Sequence, residues 1–214
     1  MSRLWASRTY SVLGSLQNQP GRFLDIACGL GETVKLFQDR GWRASGIDID
    51  ASTKPFHDRL GIETQIGRVE DLGIDGQFDI IHIAHAIYFV SDPMRFLRTV
   101  KDHLAPGGIL SVLISDFLAS TDPEYPGYFH TFYPTAGSMR YALALAGFDP
   151  APPRRRSGSI FITARVGRTD LPTIRPEMIR LAYATKWLRY EFFGRPYLFV
   201  RRVAKRIVMG KESR

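Results

Sequence analysis

The sequence predicts an α/β chain built on a mostly parallel sheet, and three features carry that expectation. An apolar run, Phe23-Leu24-Asp25-Ile26-Ala27, enters a turn with two glycines, Gly29 and Gly31, and a helix-like segment from Glu32 to Arg40 follows. A second apolar run then ends in an acid, Asp48. The same alternation recurs downstream, punctuated by Leu60-Gly61, by Leu104-Ala105-Pro106-Gly107-Gly108 and by Ala146-Gly147. Strands alternating with helical segments pair in parallel through right-handed crossovers.

Residues 3 to 18 carry Leu4, Trp5, Val12, Leu13 and Leu16 at helical spacing and end in Asn18-Gln19-Pro20-Gly21. This helix is expected over the ligand crevice, with Arg8 and Tyr10 as ligand contacts or, on the plainer reading, a solvated charge and a packing aromatic. Strand one is expected over Phe23 to Ala27 and strand two over Arg43 to Ile49. Ser52 is expected to cap a helix that has Pro55 in its first turn and stops at Gly61. A third strand, 62 to 67, follows. Strand four begins at Phe78, and Asp92-Pro93 opens a helix that runs to Leu104. Strand five covers 109 to 114. An aromatic and proline-rich loop, 115 to 134, is too long for a simple connector. Then come a helix over 135 to 146, a turn over 150 to 157 that contains Arg154-Arg155-Arg156, and a final strand over 159 to 166. Two further helices, 177 to 193 and 197 to 209, are separated by Gly194-Arg195-Pro196.

The composition is that of a folded globular chain, with 44% hydrophobic and 23% charged residues in 214. Its net charge of +8 is lopsided. Residues 1–153 hold 13 basic against 17 acidic side chains, and residues 154–214 hold 16 against 4. Basicity is therefore a property of the C-terminal part and of what that part meets. In the last helix Val200, Val203, Ala204, Ile207 and Val208 oppose Arg201, Arg202, Lys205 and Arg206. Such a helix suits peripheral contact with an anionic membrane through 197–209, at the inner face; packing on its own sheet or in a homodimer stands ahead of that reading. No nucleic-acid reading motif is present, and no specific nucleic-acid partner is expected. Cys28 is the sole cysteine, which excludes a disulfide framework and zinc spacing. No apolar h-region opens the chain, so a cytoplasmic location is expected.

Ligands of open parallel sheets lie outside the carboxyl ends of the strands, where the glycine turn and Asp48 would face one crevice. Two glycines without a Cβ admit close backbone approach, and an acid at that tip accepts hydrogen bonds from vicinal ribose hydroxyls. The ligand is therefore expected to contain a nucleoside. The third glycine of a dinucleotide fingerprint is replaced by Val34, and Gly31 is followed by Glu32 rather than the Lys of a phosphate-binding loop.

Asp25-Ile26-Ala27-Cys28-Gly29-Leu30-Gly31 resembles motif I of the class I S-adenosylmethionine-dependent methyltransferases, with Ala27 in place of the first glycine. Phe78-Asp79-Ile80-Ile81 through Asp92-Pro93, Leu104 to Gly108, and Ala146-Gly147-Phe148 are similar to the same family's later motifs, and the resemblance covers about residues 20 to 167. It implies a Rossmann-like seven-stranded, mostly parallel sheet with helices on both faces and an antiparallel last strand, plus a C-terminal helical extension. The division expected is a methyltransferase domain at 1–168 and a basic extension at 169–214. It implies S-adenosyl-L-methionine as cofactor: Asp25, Ala27 and Gly29 at the methionine end, Asp48 on the ribose, Ile49 on the adenine face, and Glu70 or Asp71 at the adenine edge. Cys28, Gly31 and Ala84 complete that set.

For the acceptor, His82 and His85 are separated by an odd number of strand positions, so they face opposite sides, and His85 is nearer the carboxyl end. A histidine serves as a base near neutral pH. His130, in the long loop, is placed ahead of His85 as that base, with Asp116 and Tyr88 as further candidates. No metal is expected, because the acids after strand five are too few for a hard cation. The function expected is O-methylation of a small molecule or of a sugar in a lipid-linked glycan. A noncatalytic cofactor-binding partner subunit and an RNA methyltransferase are the alternatives.

Overall fold

The computed structural model describes residues 3–68, 74–118, 131, 133–156, 158–173, 175–197, 199 and 200. Its strands are β1 (Arg22–Ile26), β2 (Arg43–Asp48), β3 (Glu63–Ile66), β4 (Phe78–Ala84), β5 (Leu104–Ser115), β6 (Phe148–Pro150), β7 (Arg154–Arg156) and β8 (Ser159–Val166). Its α-helices are α1 (Arg3–Leu13), α2 (Glu32–Gln38), α3 (Lys54–Leu60), α4 (Pro93–Asp102), α5 (Ala136–Leu145) and α6 (Pro176–Arg189).

The strand order is β3-β2-β1-β4-β5-β8-β6, with β7 also on β8. The pairs from β3 to β5 are parallel, and β8 is antiparallel to β5, β6 and β7. Both faces are covered, which is why the central strands read as nearly unbroken apolar runs. Alternation along β1 and β4 sends Leu24, Ile26, Ile81 and Ile83 into a core shared with Phe96 and Leu97 of α4 and Met139 and Leu143 of α5. Phe23 and Ile80 go into a second core with Val34, Phe37, Trp42 and Leu13. There the Phe23 and Phe37 rings stack with centroids 3.7 Å apart.

Among the described residues the sheet has eight strands rather than seven. Arg154–Arg156, expected in a turn, forms β7 along the same edge of β8 as β6: β6 pairs with residues 164–166 and β7 with 159–161. Ala151-Pro152-Pro153 interrupts the two pieces, since proline gives a ladder no N–H and is confined to edges. After β2 it is Asp50, not Ser52, that caps, its carboxylate accepting from the Ser52 N–H at 2.9 Å at the start of a short 3-10 turn that runs into α3. The Pro106-Gly107-Gly108 turn lies inside β5, where the β4 register shifts between Phe78 and Ile80.

The C-terminal helix does not stop at Gly194-Arg195-Pro196. Tyr190–Gly194 forms a π turn, the Arg195 N–H bonds to the Tyr190 carbonyl, and residues 195–197 continue helically. Pro196 clashes with a regular α-helical carbonyl one turn back, and the wider turn accommodates it. Lys186 anchors this helix: its ammonium donates to the Phe117 carbonyl at 2.5 Å and lies 4.0 Å from the centre of the Phe117 ring. Trp187, Phe192, Phe193 and Tyr197 are exposed on it. Of the two-faced helix expected over 197–209, residues 197, 199 and 200 are helical, and the rest lies outside the described residues. Among the described residues no helix is long and apolar enough to cross a membrane.

Candidate cofactor and acceptor site

The strand order reverses between β1 and β4, and the cleft at that switch point is lined by Ala27, Asp48, Ile49, Gly67, Arg68, Ala86 and Phe89 among others. The Asp48 carboxylate stands at its rim, 8% exposed. Oδ2 accepts from the Gly29 N–H at 2.6 Å and Oδ1 from the Asp50 N–H at 2.9 Å. Each oxygen keeps a lone pair for another donor. Ile49, 66% exposed, offers an apolar surface beside it.

The turn glycines have different jobs. Gly29, at φ +57°, faces open space, so its missing side chain leaves the backbone accessible. Gly31, at φ +80°, is filled from the other side: a Cβ there would run into the Ile62 Cδ1 methyl. Gly31 therefore serves packing of α2 against α3 and its junction with β3 rather than ligand approach. Gly31→Ala is expected to cost about 2 kcal/mol from left-handed strain and overpacking. The check is a lowered urea midpoint at unchanged slope, with a smaller effect from Gly29→Ala.

Cys28, included in the cofactor set, points its thiol away from the cleft. It is buried against Gly46, where a Cβ would come within 2.7 Å of Sγ, and lies 4.0 Å from His57 Nε2. Only its backbone is near the cleft. Burial pushes the thiol's pKa well above the ordinary range. His57, which the sequence did not single out, braces the turn: its Nε2 sits 2.7 Å from the Gly29 carbonyl and its Nδ1 2.9 Å from Thr64 Oγ1.

Asp25 is 1% exposed, and its Oδ1 has no hydrogen-bond partner among the described residues. Burial first, and then the nearby charge of Asp48, push its pKa up to about 8. A buried carboxyl group without a partner fits a cation placed above the turn. Asp25 registers beside His82, and His82 beside Ser111, on one face of the sheet. His82 Nδ1 lies 2.9 Å from Ser111 Oγ, and burial lowers its pKa to about 4, so it is a neutral core histidine.

His85 occupies the end of β4 with φ +54°, and Ala27 the end of β1 with φ +61°. They are the only described non-glycine residues with positive φ, and they flank the switch point, where backbone strain marks a constrained site. The Tyr88 and Ser115 hydroxyls lie 3.3 and 3.4 Å from His85 Nδ1. Partial burial lowers the His85 pKa, which keeps the ring neutral at pH 7. Ala84 is buried beneath it. Asp116 pairs loosely with Arg155 at 3.4 Å and caps the start of the loop by accepting from the Leu118 N–H. His130, Glu70 and Asp71 lie outside the described residues. The neighbouring Thr131 donates its backbone N–H to the Tyr88 carbonyl at 2.7 Å, tying the end of that loop to the exit of β4. Tyr10 packs edge-on against Phe37 and under Arg40, away from the cleft, while Arg8 lines a separate groove.

A family model described as a methyltransferase domain matches residues 1–155. Among curated proteins, a ubiquinone biosynthesis O-methyltransferase of Parvibaculum lavamentivorans is 35% identical over 42% of this chain and 39% of its own length. A trans-aconitate 2-methyltransferase of Deinococcus radiodurans is 28% identical over 42% of this chain and 36% of its own. The matches thus span about two fifths of these relatives. Among solved structures, the glycopeptide N-methyltransferase MtfA with S-adenosylmethionine bound superposes with a TM-score of 0.60 at 16% identity, over 75% of this chain and 93% of that one. Streptomyces venezuelae DesVI gives 0.63 at 15%, over 76% and 91%.

Proposed function

Because the chain belongs to the methyltransferase-domain family, whose fold it shares with S-adenosylmethionine-dependent enzymes, we propose that it transfers a methyl group from S-adenosyl-L-methionine to an oxygen of a small molecule or glycan. The observation that carries the cofactor half is the Asp48 carboxylate, fixed by two backbone N–H groups at the switch-point cleft. The cofactor supplies an electrophilic methyl group on a sulfonium. In this reading the ribose hydroxyls donate to Asp48, the adenine lies on Ile49, and the amino group of the methionine end meets Asp25 above the Ala27-Cys28-Gly29 turn. In this reading residues 1–168 are the catalytic domain and 169–214 a basic extension.

Methyl transfer to a hydroxyl needs alignment and proton removal. His85 takes the proton: it is neutral, half-buried at the end of β4, and oriented by Tyr88 and Ser115. His85→Ala is expected to lower kcat about 100- to 1,000-fold with little change in cofactor affinity. The acid limb of the rate profile, where His85 gains a proton, should vanish in that variant. S-adenosylhomocysteine release measured across phenols, sugars and quinols supplies the assay. His130→Ala is the paired variant, and a loss confined to it moves the base to the long loop. Silence across the whole panel favours a noncatalytic cofactor-binding subunit.

A further inference from the structure

A second concavity, of about 290 Å³, lies on the face of the sheet that carries α1, beyond β5 from the cofactor cleft. Its floor is Leu113 of β5 with Ser159 and Phe161 of β8, one wall is Arg8, Thr9 and Val12 of α1, and the other is Arg154 and Arg155 of β7. Register places these groups together: Leu113 pairs with Phe161, and Phe161 with Arg154. It also ties the groove to the candidate base, because the Leu113 carbonyl accepts the His85 N–H at 2.7 Å.

The chemistry of the groove is an apolar floor with the Arg154 guanidinium on one side and Arg8 of α1 on the other; Arg155, next along β7, registers with Ile160 and alternates to the opposite face of the sheet. Arg154 is exposed and makes no ion pair among the described residues. Arg155 has the Asp116 carboxylate at 3.4 Å, beyond a good hydrogen bond, and is 64% exposed. Asp116 pairs with Arg155 and no carboxylate among the described residues lines the groove, so the positive charge of Arg154 is left over. Guanidinium groups present a planar fork that matches carboxylate or phosphate oxygens.

From this juxtaposition we propose that the groove is the acceptor subsite and that the acceptor carries an anionic group, a carboxylate or a phosphate, which Arg154 holds while its apolar body lies on Leu113 and Phe161. The inference rests on the methyl-transfer reading for its purpose. From β7 across β8 and β5 to β4 is three strand spacings, about 14 Å. An arginine side chain and a small acceptor together span that distance, which brings the far end of the acceptor to His85. Phenolic or alcoholic acids and phosphorylated alcohols have this shape.

The test is binding, so it does not depend on knowing the acceptor. Protein loaded with S-adenosylhomocysteine is titrated at constant ionic strength with phenyl phosphate, with phenylacetate and with neutral benzyl alcohol, and backbone amide shifts are followed. At least one anion should saturate with a Kd of about 1 mM or tighter. Its shifts should centre on Leu113, Ser159 and Phe161, and benzyl alcohol should fail to saturate. Arg154→Gln should weaken that anion about tenfold or more and leave S-adenosylhomocysteine affinity unchanged. The relative strength of the two anions tells phosphate from carboxylate. Absence of saturation by both anions, equal binding of benzyl alcohol, or an unmoved Kd in Arg154→Gln overturns the proposal. If S-adenosylhomocysteine itself fails to bind, the cofactor reading falls, and titration of the unloaded protein still reports on the groove.

Discussion

Asp48→Ala weakens S-adenosylhomocysteine binding about 100- to 1,000-fold, the largest loss expected from any single cofactor contact. Two ribose hydroxyls donating to one carboxylate make charge-assisted hydrogen bonds, each of which contributes about 1.5–3 kcal/mol. The substitution also releases the Gly29 and Asp50 N–H groups, which now bond to Asp48 at 2.6 and 2.9 Å. The glycine turn then loses the strut that positions it. Asp48→Asn keeps one acceptor oxygen and should lose less. Calorimetry of both variants, with thermal unfolding of the free proteins as the control for folding, decides the matter. Unchanged affinity in Asp48→Ala removes the ribose contact and with it the cofactor reading.

The second large effect is a pH dependence set by Asp25. In the free protein its pKa stands at about 8, so the group is mostly protonated at pH 7. A cofactor ammonium placed against Oδ1 favours the carboxylate, so binding must expel a proton. Below pH 8 the affinity for S-adenosylhomocysteine is expected to fall about tenfold per pH unit. Titrations in two buffers of different ionisation enthalpy should show about one proton released at pH 6–7. Asp25→Asn should bind weakly at all pH values and release none.

The same shift has a stability sign. An acid whose folded pKa lies above its unfolded value of 3.8 holds its proton in the folded state while the unfolded chain has lost it. Between about pH 4 and pH 8 the unfolded state therefore binds fewer protons, and the free protein loses stability as pH rises through that window. Asp25→Asn should flatten that slope. A proton count of zero in the wild type would place the ammonium away from Asp25.

Much of this architecture was legible because the sheet is buried on both faces. Strands such as Phe78–Ala84 have no solvent side to interrupt their apolar run, and Asp-Pro and Pro-Gly-Gly mark where the chain must turn. The tip acid was legible for a related reason: a carboxylate at the end of an apolar strand has no packing purpose. The side to which the glycine turn faces was not. Gly29 and Gly31 are alike as letters, and only Ile62, 31 positions after Gly31 in the chain, shows that one of them makes room for a methyl group. The direction of the Cys28 thiol was not legible for the same reason, since its neighbour Gly46 is brought beside it by strand pairing. The strand Arg154–Arg156 reads as a turn because its arginines and preceding prolines carry no strand signal; its pairing with β8 supplies one. His57 gives no local sign either, since both its partners, the Gly29 carbonyl and Thr64, arrive through tertiary packing.

Ala151-Pro152-Pro153, where the outermost ladder of the sheet breaks off, bears on how copies of this chain meet. A neighbouring molecule that approached along that rim would find two ring nitrogens with nothing to donate, and then a row of like charges at Arg154 and Arg155. Edge-to-edge growth into fibrils is blocked there by both chemistry and charge. Replacing both prolines and both arginines with threonine would open that rim, and turbidity on prolonged incubation would report it.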